Sequence, residues 1–148
     1  MGKERFLYFL ILIFFTAISI YNLRIRKQSL YNIKVTKLKV FILAAGTLIF
    51  FIIGYYIGGN SWDNYILVVS ASIFLTSPVI SEGIHEKGIY YRHLGSSILI
   101  LAKWEDIRDI EIDLKNSKVK SFMTKKQRVY VKQDYKLEDI KKIKNYIK

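Results

Sequence analysis

The chain has 148 residues, 24 Lys/Arg against 12 Asp/Glu, a formal net charge of +12, one proline and no cysteine. That length holds about one ordinary domain, or a few membrane spans with a small appended module. The missing cysteines exclude a disulfide framework, a thiolate metal site and a cysteine nucleophile.

The charge is unevenly distributed. Met1 to Ile84 carries eight Lys/Arg and three Asp/Glu, whereas His85 to Lys148 carries sixteen and nine, a net of +7. The shift near residues 80–84 marks a domain boundary. It divides a transmembrane region over 1–81 from a cytoplasmic module over 82–148.

Three apolar runs precede the boundary, at 7–23, 40–59 and 65–80. As helices they reach roughly 25, 30 and 24 Å, against a hydrocarbon core of about 30 Å. None contains a charge, and Tyr8, Tyr21, Tyr55, Tyr56, Trp62 and Tyr65 sit where interfacial anchors belong.

The first run also has signal-peptide features: Lys3 and Arg5 lead it, and Ala17-Ile18-Ser19 offers small residues for cleavage. Its apolar core fills the upper length limit for a signal segment and ends as a helix would at Tyr21–Arg24. Retention as a span is the reading taken.

Arg24, Arg26, Lys27, Lys34, Lys37 and Lys39 lie between the first two runs, and no Lys or Arg lies in Gly58–Asn64. The positive-inside rule puts the first loop in the cytoplasm. Three spans then leave the amino terminus outside and the module inside.

Those six cations are the candidates for inner-leaflet contact, each worth about 1 kcal/mol beside anionic lipid. Gly54 and Gly58 have the small-xxx-small spacing of a helix-packing seam. No charged residue sits mid-span, so no proton relay or ion site can be named.

In the module, Ile84 to Tyr91 reads as a hairpin turning at Glu86-Lys87-Gly88, and Ser96 to Ala102 as a strand covered on both faces. Ile110, Ile112 and Leu114 alternate with Asp109, Glu111 and Asp113 in a strand with one wet face. Strands follow at Val119–Met123 and Arg128–Gln133, and the tail from about 135 to 147 has helical spacing with Asp134 as its cap. The fold class expected is α+β, an antiparallel sheet closed by a carboxyl-terminal helix.

Gly88-Ile-Tyr-Tyr, then Trp104-Glu-Asp-Ile107 leading into Ile110-Glu-Ile, then basic strands and a final helix resembles the bacterial PH-like (pleckstrin-homology-like) domains. It resembles in particular small Firmicutes-type membrane proteins in which such a domain follows two or more spans. The resemblance makes Gly88, Trp104 and Ile107 fold-motif residues, with Trp104 and Ile107 packed inside where one strand bends into the next. A complete PH fold has seven strands, so a module of this length implies a truncated sheet. PH-like domains bind phosphoinositides, peptides or each other.

His85 and His93 have no recognised metal-ligand spacing. Glu105, Asp106, Asp109, Glu111 and Asp113 read as a solvated face with no nucleophile in view. Lys118, Lys120, Lys125, Lys126, Arg128 and Lys132 read as solvated surface, and nucleic-acid binding is not expected despite Tyr130 among them.

The expectation is therefore a non-enzymatic integral membrane protein without cofactor, metal or small-molecule substrate. Its partners would be membrane lipids, a protein, or a second copy of itself. Alternatives are a bacteriocin-immunity or stress-response protein, by analogy with similar PH-like membrane proteins, and a transporter or channel accessory subunit.

Overall fold

A computed structural model describes residues 3–93 and 96–147. Three long helices come first, α1 (Lys3–Gln28), α2 (Lys37–Gly58) and α3 (Trp62–Ser81), all long and apolar enough to cross a membrane. A two-residue strand, β1 (Tyr31–Asn32), lies between α1 and α2.

After α3 come β2 (Gly83–His85), β3 (Gly88–Arg92), β4 (Leu99–Lys103), β5 (Ile107–Asp113), β6 (Lys118–Thr124), β7 (Arg128–Asp134) and α4 (Leu137–Tyr146). A single 3-10 turn, Trp104–Asp106, joins β4 to β5.

The helices run past the apolar limits of the sequence. α1 extends through Arg24–Gln28 because straight-chain basic residues are good helix formers and suit the carboxyl-terminal end of the dipole. Thr36 caps α2 through Lys39 N, and Ser61 caps α3 through Asn64 N.

α3 is the helix against which both others pack. Phe15 of α1 stacks on Phe74 of α3 at 4.6 Å, and Phe51 of α2 lies 6.4 Å from Tyr65 of α3. The Gly54/Gly58 seam is used inside this hairpin. A Cβ on Gly54 would meet Val68 Cγ2 at 2.5 Å, and one on Gly58 would meet Asn64 Cγ at 2.6 Å.

Pro78 has no N–H for the carbonyl four residues back, that of Phe74. Ser77 Oγ donates to that carbonyl instead, at 3.3 Å.

The strands form two antiparallel sheets, one ordered β1-β2-β3-β4 and the other β5-β6-β7. The expected single sheet over 82–148 thus becomes two, and its first strand comes from the segment between α1 and α2. Tyr31 pairs with Ile84 and Asn32 with Gly83. Gly83 permits this approach, since a Cβ there would lie 2.6 Å from the Tyr31 carbonyl oxygen.

Beyond β1 the chain reaches the other sheet. Ile33 N donates to Glu82 O at 3.4 Å and Lys34 N to Asp134 O, at the end of β7, at 2.7 Å. One short segment therefore bridges both sheets.

Ile33, 3% exposed, joins a core made of Ile84, Ile89, Tyr91 and Ala102 from one sheet, Val119, Phe122 and Val129 from the other, and Tyr135, Ile140 and Ile143 around α4. Tyr91 meets Phe122 edge-to-face at 5.3 Å across the two sheets.

Three local expectations change. β4 is covered at Leu99 and Ala102 but exposes Ile100, and Ile98 just before it is exposed too, so the expected strand is not buried on both faces. Leu114 lies beyond the end of β5, in the turn closed by Asn116 N and Nδ2 on the Asp113 carboxylate, and is exposed. Asp134 ends β7 and does not cap α4; the residue at that cap is Lys136, which makes no side-chain bond.

Because Ile33 fills a closed core, Ile33→Ala should destabilise the module by about 2–4 kcal/mol. Unfolding of the detergent-solubilised full chain measures this. Leu137→Ala, at an exposed position, is the control that should change little.

Candidate functional site at the helix–module junction

The polar side chains that organise this protein gather where the three helices end against the sheets. Asn22, in the penultimate turn of α1, is fully buried. Its Nδ2 donates to Ser77 Oγ at 3.1 Å and to the Ser97 carbonyl at 2.9 Å.

The first bond continues through Ser77 to the carbonyl that Pro78 leaves unpaired. The second ties α1 to the segment before β4. Asn22 Oδ1 and the buried Ser81 Oγ have no partner among the described residues.

One turn further on, Arg26 Nη1 donates to the Ile80 carbonyl, satisfying an orphan acceptor at the end of α3. Glu82 follows, only 6% exposed, and takes a 2.6 Å hydrogen bond from Arg92 Nε of β3. Burial pushes the Glu82 carboxyl above its ordinary range, against the pull of Arg92 and Lys39.

The last group joins α2 to β7. Asp134 pairs with Lys39 at 3.1 Å and with Lys118 at 3.2 Å. Burial opposes ionisation of Asp134, but the two ammonium groups outweigh it and its pKa lies below the usual carboxylate range. Together these bonds tie all three helix ends to the module, at positions far apart in sequence.

The six loop cations divide. Arg26 and Lys39 are engaged in the joint just described, whereas Arg24, Lys27, Lys34 and Lys37 are exposed. The cations of the second sheet are largely matched by its acids.

Lys125 pairs with Asp106 at 3.1 Å, Lys120 with Asp113 at 3.1 Å, and Arg128 with Asp109 at 3.3 Å and Glu111 at 3.7 Å. The acidic strand expected to be merely solvated is thus the counter-charge of cations on β6 and at the start of β7. The Asn116 bonds and Lys120 hold Asp113 well below the ordinary carboxylate range.

Gly88, Trp104 and Ile107 come together at the end of the sheets opposite the Ser97 contact. Gly88 has φ +153° and lies so close to β4 that a Cβ would overlap the Ala102 carbonyl. Trp104 Nε1 donates to His85 O at 3.2 Å, and its ring sits 6.0 Å from Tyr146 of α4.

Trp104 and Ile107 are half-buried, packed at the core's margin and not within it. With Ile110 and Tyr146 they line a hollow of about 520 Å³. His85 and His93 lie at opposite ends of the hairpin arm β3, and His85 Nδ1 accepts from Lys87 N at 3.3 Å.

No protein-family model, no curated protein and no solved structure matches this chain.

Asp134 makes the joint sensitive to acid. Its folded pKa is depressed, so its contribution is complete above the unfolded value of about 3.9 and is lost as pH falls through the folded one. Asp134→Asn should cost about 1 kcal/mol or less at pH 7, since both of its lysine partners keep contact with solvent. The stability gap between wild type and variant should close below pH 4.

Proposed function

We propose that the three apolar helices cross a cell membrane with the amino terminus outside, and that the sheets and α4 form a PH-like interaction module at the cytoplasmic face. The role is one of binding at that surface and not catalysis.

The observation that carries this reading is the incorporation of β1 into the module. Tyr31 and Asn32 pair with β2, and Ile33 enters the core. Loop and module consequently share one side of any membrane that α1 and α2 cross. The loop's exposed Arg24, Lys27, Lys34 and Lys37, set against the uncharged turn between α2 and α3 apart from Asp63, favour the cytoplasm for that side.

The PH-like assignment is supported by the strand arrangement. Four strands and three strands, closed by a carboxyl-terminal helix, total the seven of a complete PH fold, in place of the truncated sheet that the length of 82–148 implied, because β1 is drawn from before α2. The helical hairpin α2–α3 then stands as an insertion between the first strand and the second.

A binding role is supported by the ion pairs of the second sheet. Asp106, Asp109, Glu111 and Asp113 are each matched by a Lys or Arg, which suits a recognition surface better than a carboxylate poised for proton transfer.

Reporter fusions test the arrangement. A reporter active only outside the cell should be silent after Lys148 and active when inserted in the turn at Gly59–Ser61. The opposite pattern would overturn the orientation, and activity at neither or both sites would overturn the spanning helices.

A further inference from the structure

We propose that the helices hold one anionic phospholipid of the inner leaflet, its acyl chain in a crevice between α1 and α2 and its head group at the basic rim above. This rests on the membrane-spanning reading and adds a specific ligand site to it.

Because α1 and α2 both pack on α3, they leave a gap between themselves. A cavity of about 410 Å³ is lined there by Leu23 of α1, Thr47 and Phe51 of α2, and Thr76, Ser77 and Ile80 of α3. A second, shallower hollow of about 550 Å³ continues it over α2 and α3, sharing Thr47, Phe51, Thr76 and Ile80 and reaching Val40 and Val35. The pair falls in the size range of ligand-sized sites, and its lining suits an alkyl chain.

The module end of this crevice is basic. Arg26 bonds the carbonyl of Ile80, Lys34 precedes Val35, and Lys37 opens α2 three residues before Val40. The acids bonded at the junction are already matched, Glu82 by Arg92 and Asp134 by Lys39 and Lys118. What remains is an apolar slot beneath positive charge that no acid among the described residues offsets.

That combination selects an amphiphile with a negative head. A free phosphate would leave the slot unfilled. A second copy of this chain, entering in the same orientation, would bring its own Lys34 and Lys37 against this rim, where like charges repel. An inner-leaflet anionic lipid meets both requirements and approaches from the correct side.

The test is native mass spectrometry of the full-length chain, purified in mild detergent and titrated with phosphatidylglycerol or phosphatidylcholine. The wild type should retain one phosphatidylglycerol per chain with at least tenfold preference over phosphatidylcholine. Thr47→Trp fills the crevice from α2, a helix with no buried residue, and should abolish retention of both lipids.

Lys34→Gln with Lys37→Gln, both at exposed positions, should retain a lipid but lose the preference for the anionic one. Equal retention of the two lipids by the wild type, or unchanged binding in either variant, would overturn the site. If the topology reporters behave as expected while lipid retention fails, the crevice proposal alone falls. Failure of the reporters removes the membrane reading beneath it.

Discussion

The pairing of Tyr31 and Asn32 with Ile84 and Gly83 is the constraint on which the rest of the architecture turns. A two-residue strand has negligible stability alone. It persists because Ile33 immediately beyond it is buried, and because Lys34 N continues to the other sheet at Asp134. Backbone bonds satisfied on both sides and one apolar anchor turn a connecting loop into the strand that joins the two sheets.

This pairing explains why the helix ends are so tightly specified. Once β1 is a strand of the module, α1 and α2 must leave it at fixed positions, and α3 must deliver Gly83 opposite Asn32. Asn22, Arg26, Glu82 and Lys39 hold those three ends with buried or half-buried hydrogen bonds, where an unmade bond is costly. Movement of one helix end would therefore load the sheets directly, without a flexible linker to absorb it. The charges sort in the same way: those of the joint and most of those of the second sheet are paired, while Arg24, Lys27, Lys34 and Lys37 are exposed.

Much of this was legible in the residues. Uninterrupted apolar runs defined three helices, Gly88 marked the β2–β3 turn, and alternation from Ile107 to Asp113 marked β5. The strand β1 was not legible, because two residues between two basic clusters have no measurable period and their partners lie more than fifty positions away. Trp104 and Ile107 could be singled out, but their place at the core's margin depends on Tyr146 of α4. Asn22 had only the weak signal of an amide at the end of an apolar run. The roles of Glu82, Arg92 and Asp134 arise from pairings across the fold that no local pattern encodes. The basic loop was visible as charge and hidden as structure, since a cluster of Lys and Arg says nothing of strand pairing.

Hydrogen exchange on the full-length chain in lipid nanodiscs tests the central claim most directly. If the segment between α1 and α2 is a strand of the module, the amides of Leu30, Ile33 and Lys34, which donate to Ile84, Glu82 and Asp134, should exchange as slowly as those of β2 and open with them. Exchange of these three at the rate of an open loop, while β2 and β3 remain protected, would contradict it.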